Sequence, residues 1–323
     1  MLGEPRSMLS PAAYLERVLG LIQRNALRSP RVDWKTVKAT CFEMIAGARS
    51  TEETYSAINY VLSQLGDNHS FLKDRRGGST RTFTAGAVQF PKQTRVASPK
   101  CFESAGKKYC FMVVPAFGSS SSTAAATNFA KHLQKELSEG LLQTPAGWIV
   151  DLRGNGGGNM WPMLVGAGPL IGAGTLGYFE YPNTNIAWFY ESGQAGVINK
   201  RGKIANFKLA DSIPDLPNIP VAVLIDGNTA SSAEALTISF KGRDNTCFVG
   251  SHTCGLATNN ERKKLPDGAL LYLTTSGEQD RNHVSYDSGI APDIQVEQGN
   301  IPLGDKDDPG IKAAIGRLNS HTQ

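Results

Sequence analysis

Two short apolar runs restrict the fold of this chain more than any other feature. Trp148-Ile-Val-Asp151 stops at Leu-Arg-Gly-Asn-Gly-Gly-Gly158, and Val221-Ala-Val-Leu-Ile225 stops at Asp-Gly-Asn228. Runs this short, apolar at consecutive positions and closed by glycine, read as strands buried on both faces. A helical pattern follows each, over Trp161–Ile171 and Ser231–Phe240. Further strands are expected over Cys110–Val114, Cys247–Gly250 and Leu270–Thr275. A hairpin is expected over Leu176–Tyr181 and Ile186–Glu191 across Pro182-Asn-Thr-Asn185, and helices over Ala124–Leu137 and Gly310–Leu318. Strand–turn–helix repeats of this kind predict an α/β fold with a largely buried β-sheet.

The first segment reads differently. Ser10-Pro11 opens a helix with proline at its first position, and Tyr14, Leu15, Val18, Leu19, Leu21 and Ile22 recur at helical spacing. A second helix starts at Asp33 and carries Trp34, Val37 and Cys41. Ser50-Thr-Glu-Glu53 is a capping box for a third, with Tyr55, Ile58, Val61, Leu62 and Leu65 on one face and Gly66 as C-cap. The expected organisation is an N-terminal three-helix bundle over 1–73, a linker or β-hairpin over 74–109 (the hairpin around Thr84–Phe90), and an α/β core over 110–323.

Composition narrows the class. Of 323 residues, 40% are apolar and 19% charged, as in globular rather than disordered chains. No run approaches the roughly 18 apolar residues of a membrane helix, so no membrane partner is expected. Met1-Leu-Gly-Glu-Pro-Arg-Ser7 lacks the apolar stretch of a signal peptide. The net charge of +4 is mild. The basic clusters Lys73–Arg76 and Arg262-Lys263-Lys264 read as solvated loops, so nucleic acid is not expected as a partner. Five cysteines at irregular spacing, with no CxxC, predict no metal site. Cys101 and Cys110 flank a polar turn and can pair across a hairpin.

Chemistry concentrates at the two strand ends. Gly154-Asn-Gly-Gly-Gly158 has four glycines in five residues, so main-chain N–H groups can approach a ligand closely. A plain strand-to-helix turn would need the same glycines. The turn has neither a Gly-Lys-Ser/Thr ending nor GxGxxG spacing, so no nucleotide or other cofactor is expected; binding of an oxyanion needs only donors. At the second strand end, Ser231 or Ser232 would sit among the free N–H groups of a helix start. A hydroxyl there serves either as a cap or as a nucleophile, and the local sequence leaves both open.

Taken in order, Asp151-Leu-Arg-Gly-Asn-Gly-Gly-Gly158, Thr229-Ala-Ser-Ser-Ala-Glu234, Gly250-Ser-His-Thr-Cys-Gly255 and Gly289-Ile-Ala-Pro-Asp293 resemble the C-terminal-processing (tail-specific) serine peptidase superfamily. The resemblance covers roughly 110–297, and with the helical segment most of the chain. It implies a crotonase-like α/β core and makes Ser231 the nucleophile, with the N–H groups of Ser232 and Gly157, or the neighbouring Gly156, holding the oxyanion. The lysine base of the processing branch is replaced here by Leu256, which cannot take a proton. The chain instead resembles the branch of tricorn protease and the interphotoreceptor retinoid-binding modules, in which a histidine after the N-terminal helices is the base. His69 holds that place, preceded by Asn68. The bundle is then expected to bring His69 towards Ser231 in a cleft between domains. Only about 37 residues separate Leu72 from Cys110, too few for a PDZ domain.

The same resemblance assigns a carboxylate to orient the histidine. Asp287 stands one position from the branch's glutamate, and Glu278 and Asp280 are alternatives. His252 is a second candidate base. Trp161, next to the glycine turn, lines either a substrate pocket or the core, and Asn68 would flank that pocket. The resemblance thus implies a serine endopeptidase acting on unstructured peptides or proteins without metal or cofactor. It also allows an oligomer, and a mature secreted or periplasmic form rather than a cytoplasmic one. Two rivals remain at this point: a non-catalytic module binding apolar ligands on the same fold, and an acyl-CoA enzyme.

Overall fold

A computed structural model describes residues 9–79, 95, 101–118, 122–216 and 218–320. The hairpin expected around Thr84–Phe90 lies outside the described residues. In chain order the elements are α1 (Pro11–Asn25), α2 (Trp34–Met44), α3 (Tyr55–Leu65), β1 (Phe71–Lys73), β2 (Cys101–Ser104), β3 (Lys107–Val113), α4 (Thr123–Leu141), β4 (Gly147–Asp151) and α5 (Met160–Ile171). There follow β5 (Gly174–Tyr181), β6 (Thr184–Glu191), β7 (Gln194–Asn199), β8 (Gly202–Lys208), β9 (Val221–Ile225), α6 (Ser232–Phe240) and β10 (Thr246–Gly250). The last are β11 (Thr258–Lys264), β12 (Leu270–Asp280), β13 (Ile294–Gln295) and α7 (Pro309–Ser320). The chain is therefore a mixed α/β protein with three helices at its N-terminal end.

Contacts divide the chain into two units. One is Met1–Val88 with Thr258–Ser276, and the other is Gln89–Ala257 with Gly277–Gln323. In the first, Ser10 caps α1 through the Ala13 N–H and Asp33 caps α2 through Lys35 and Thr36. Gly66 ends α3 at φ 64°, the left-handed geometry that glycine adopts without strain. The capping box forms one turn early. Glu53 takes the Arg49 N–H and the Ser50 hydroxyl, and a 3₁₀ turn over Glu52–Thr54 leads into α3.

The apolar faces of the three helices close on strand residues supplied from far along the chain. Tyr14, Leu15, Val18, Leu19, Val37, Cys41, Ile58, Val61 and Leu62 share one buried cluster with Leu72, Leu265, Ala269, Leu271 and Leu273. β1 pairs antiparallel with the start of β12, from Phe71↔Tyr272 to Lys73↔Leu270, and β11 also pairs with β12. Lys263 and Lys264, expected in a solvated turn, lie instead in β11, where exposed and half-buried residues alternate. The polar run Thr258-Asn-Asn-Glu-Arg-Lys-Lys264 carries no apolar signal for a strand. Asp267, on the turn after β11, accepts the hydroxyls of Tyr14 (2.9 Å) and Tyr55 (2.5 Å), tying that turn to α1 and α3.

The second unit is built on a six-stranded sheet in the order β13-β10-β9-β4-β3-β2, parallel except for the β2–β3 hairpin. Cys101 and Cys110 face each other in that hairpin and form a disulfide. Alternation along the strands covers both faces. Met112, Trp148, Val150, Val223 and Ile225 join residues of α4, α5 and α6 in one cluster. Tyr109, Phe111, Ile149, Ala222, Leu224 and Val249 join Ile311, Ala314 and Leu318 of α7 in another.

Pro169 within α5 removes the N–H that would reach Val165, and Gln134 of α4 donates to that carbonyl instead (2.8 Å). β5 to β8 form antiparallel hairpins, and the end of β12 pairs with β5 from Gly277↔Glu180 to Asp280↔Gly177. No helix among the described residues is long and apolar enough to cross a membrane.

Candidate active site

β4 and β9 are adjacent and parallel, so their carboxyl ends bring the glycine turn and the start of α6 together. In such sheets the crevice beyond the carboxyl ends is where ligands bind. The turn is anchored from below by charge. Asp151, fully buried, takes Nε (2.9 Å) and Nη2 (2.8 Å) of Arg153 and Nη1 of Arg95 (2.8 Å). Arg153 also forks onto Asp308 through Nη1 (2.9 Å) and Nη2 (2.7 Å). Burial pushes the Asp151 carboxyl up, but Arg153 and then Arg95 outweigh it and hold it at about 2. Asp226, at the end of β9, accepts the Gly154 N–H (3.0 Å), which fixes the two strand ends to each other.

Asn155 binds the turn on three sides. Its Oδ1 accepts the Gly157 N–H (2.9 Å), its Nδ2 donates to the Val114 carbonyl (2.9 Å), and its own carbonyl accepts the Ala230 N–H (3.0 Å). Gly157 adopts φ 91°. A Cβ there would lie 2.6 Å from the Ala230 carbonyl oxygen, and 2.9 Å from both Ser231 Cβ and the Ser232 nitrogen. Only glycine lets the turn approach the serine pair this closely.

Ser231 is the N-cap of α6 and holds φ 56°, ψ −122°, a backbone region that non-glycine residues seldom occupy. Glu234 holds it there. This carboxylate, wholly buried, accepts the N–H of Ser231 (2.9 Å), Gly255 (2.9 Å) and Leu256 (2.8 Å) and the Thr253 hydroxyl (2.6 Å). One side chain therefore fixes both the serine and the loop carrying Leu256. Ser232 Oγ donates to the Gly158 carbonyl (2.7 Å), closing the helix start onto the turn.

In the first unit, His69 is 5% exposed, between α3 and β1. Its Nδ1 lies 2.7 Å from Thr258 Oγ1, and its carbonyl accepts Asn260 Nδ2 (2.8 Å). Asp67 shapes the approach by accepting the N–H of His69 (3.0 Å) and of Ser70 (2.8 Å), and Asn68 turns through φ 54°. The structure thus gathers Ser231, Ser232 and Gly157 in the second unit and gives His69 a hydroxyl partner in the first. Thr258, Asn155 and Glu234 are the residues that sequence reasoning did not single out. Glu234 and Asn155 had a local signal, lying within the Thr-Ala-Ser-Ser-Ala-Glu and Asp-Leu-Arg-Gly-Asn-Gly-Gly-Gly motifs, and Thr258 had none.

The other candidates are placed as follows. Asp287 is exposed on the Tyr286–Gly289 turn. The Asp280 carboxylate takes the N–H of Asn282 (2.8 Å) and Val284 (3.1 Å) and the Tyr286 hydroxyl (2.8 Å). Glu278 is buried, with Oε2 unpartnered among the described residues; burial, and then the Glu234 carboxylate, raise its carboxyl well above the usual range. Exposed His252 directs Nδ1 at the Thr253 carbonyl of its own loop (3.0 Å). Trp161 is half-buried against the core. No cluster of three or more His, Cys, Asp or Glu side chains able to hold a metal occurs among the described residues.

Ser231 thus stands, strained, at a helix start, pressed against a glycine turn over a parallel sheet. The family model for Peptidase family S41 matches residues 108–296. The nisin-resistance protein of Lactococcus lactis subsp. lactis is 31% identical over 288 residues, covering 89% of this chain and 84% of its own. A carboxyl-terminal-processing protease of Synechocystis sp. is 28% identical over 189 residues, covering 57% of this chain; the match spans only 39% of that relative's length. Among solved structures, that of a lipoprotein from Streptococcus agalactiae superposes with a TM-score of 0.73 at 22% identity, over 99% of this chain and 100% of that one. The chain belongs to peptidase family S41. It is a serine peptidase, and its substrates are peptides or proteins.

Proposed function

We propose that the chain cleaves peptide bonds within unstructured peptide or protein segments, with Ser231 as nucleophile and His69 as its base. Ser231 Oγ attacks the scissile carbonyl carbon while His69 Nε2 takes the hydroxyl proton. The same proton passes to the leaving amine, and water then releases the acyl group by the reverse path. The Ser232 N–H and the Gly156 or Gly158 amide are the donors for the oxyanion; the Gly157 N–H, expected in that role, is given instead to Asn155 Oδ1. The observation that carries this reading is the backbone of Ser231, held at φ 56°, ψ −122° by Glu234 with Gly157 against it. Leu256, held by the same carboxylate, has no group able to accept a proton.

The test is covalent labelling with a fluorophosphonate, mapped by mass spectrometry, beside turnover of unfolded casein and of nisin; the name of the Lactococcus relative makes nisin the first defined peptide to offer. An adduct on Ser231 is expected, with that labelling abolished and turnover falling by roughly six orders of magnitude in Ser231→Ala. His69→Ala should slow both. Turnover retained in folded Ser231→Ala, or labelling indifferent to His69, sinks the proposal.

A further inference from the structure

A histidine acting as base needs a third group that fixes its ring and its tautomer. We infer that in this protein Thr258 is that group: it is the positioning residue for His69, and its partner atom is a neutral hydroxyl rather than a carboxylate. The inference rests on His69 being the base.

The geometry lies wholly within the first unit. Thr258 opens β11, and its Oγ1 is 2.7 Å from His69 Nδ1. Two residues on, Asn260 of the same strand donates to the His69 carbonyl (2.8 Å) and accepts the Thr274 hydroxyl (2.9 Å) of β12. One strand therefore grips the ring and the main chain of the same residue, and is itself braced against its neighbour. The Asp67 carboxylate fixes the His69 N–H from the other side. A buried histidine held at Nδ1 has little rotational freedom.

The chemistry follows from what each nitrogen can do. With Nδ1–H donating to Thr258 Oγ1, the lone pair of neutral imidazole is on Nε2, the atom that must accept the serine proton. When the imidazolium forms, Nδ1–H still points at an oxygen. The hydroxyl supplies orientation and a dipole but no full negative charge. The polar run Thr258-Asn-Asn260 thus does the work for which the resemblance offered Asp287, with Glu278 and Asp280 as alternatives.

The experiment uses the full chain and three variants: Thr258→Val, which keeps the shape without the hydroxyl, Thr258→Ser, which keeps the hydroxyl, and His69→Ala. The rate and final stoichiometry of Ser231 labelling by fluorophosphonate are measured, together with the ¹⁵N shifts of the His69 ring and the thermal midpoint. Loss of the partner that orients a metal-bound histidine costs about 10- to 100-fold in activity; on the same scale Thr258→Val is expected to label that much more slowly yet reach one adduct per chain. The wild-type ring is expected to be the Nδ1–H tautomer, and the Thr258→Val ring should lose it. Thr258→Ser should stay within about threefold of the wild-type rate and keep that tautomer, a rescue that loss of packing alone would not give.

Thr258→Val labelling at the wild-type rate, or an unchanged tautomer, overturns the inference. So does Thr258→Ser as slow as Thr258→Val. Should Thr258→Val lower the folded fraction, the Thr258→Ser rate and the wild-type tautomer still decide it. Wild-type labelling that ignores His69→Ala removes the reading of His69 as base, and the inference with it; that result is distinct from a Thr258 effect absent beside an intact His69 dependence.

Discussion

Gly157 shows how little room the serine has. A methyl group there would meet a carbonyl oxygen, Ser231 Cβ and the Ser232 nitrogen at 2.6–2.9 Å, on a backbone at φ 91°. Gly157→Ala is therefore expected to lower Ser231 labelling by at least about 100-fold, as displacement of a reacting group by 1 Å does. Wild-type labelling in that variant would count against the turn as part of the site. Beneath it, Asp151 has its folded-state pKa depressed to about 2. A depressed carboxyl contributes stability that is complete above its unfolded value of about 3.9 and is lost as pH falls through the folded value. Acid unfolding between about pH 4 and 2 should thus steepen, and Asp308→Ala, which leaves Arg153 half-paired in the core, should cost about 3–5 kcal/mol in denaturant titration.

Glu278 has the opposite sign. Its raised carboxyl binds a proton more tightly when folded, so its contribution is present at low pH and lost as pH rises. Glu278→Gln should leave the thermal midpoint unchanged near pH 4 and raise it near pH 8; equal midpoints at both would refute the buried acid.

At the scale of elements, helix starts were legible because capping is local: Ser10, Asp33 and Gly66 sit at the boundaries their chemistry requires. β4, β9 and α6 were legible because buried strands of a parallel sheet need unbroken apolar runs. β8 and β11 were not, because a strand exposed on one side carries polar residues whose pairing is decided by a neighbour. The β2–β3 hairpin is closed by Cys101–Cys110, nine residues apart. Cross-linking a loop of that length is worth about 3 kcal/mol in the chain-entropy model. Reduction, or Cys101→Ser with Cys110→Ser, should lower the thermal midpoint by several degrees, while insensitivity to reductant in the wild type would mean that the hairpin holds without it.

For the whole molecule, the helical unit is completed by Thr258–Ser276. Leu265, Ala269, Leu271 and Leu273 fill its core, and Asp267 binds Tyr14 and Tyr55. A fragment ending at residue 79 lacks all of these and should show weak helicity and no cooperative melt by circular dichroism. A cooperative transition in that fragment would show that the three helices suffice alone. By itself the sequence determined the α/β class, the three helices and the strand end at which Ser231 stands, because periodicity, capping and glycine turns act over a few residues. It did not determine what surrounds them. Thr258 lies 189 residues from His69, Asp308 lies 155 from Arg153, and Asn155 meets Ala230 across the sheet. Those pairings carry no local signal, since a buried polar atom takes whichever partner the folded chain brings within reach, and only the tertiary structure decides which that is.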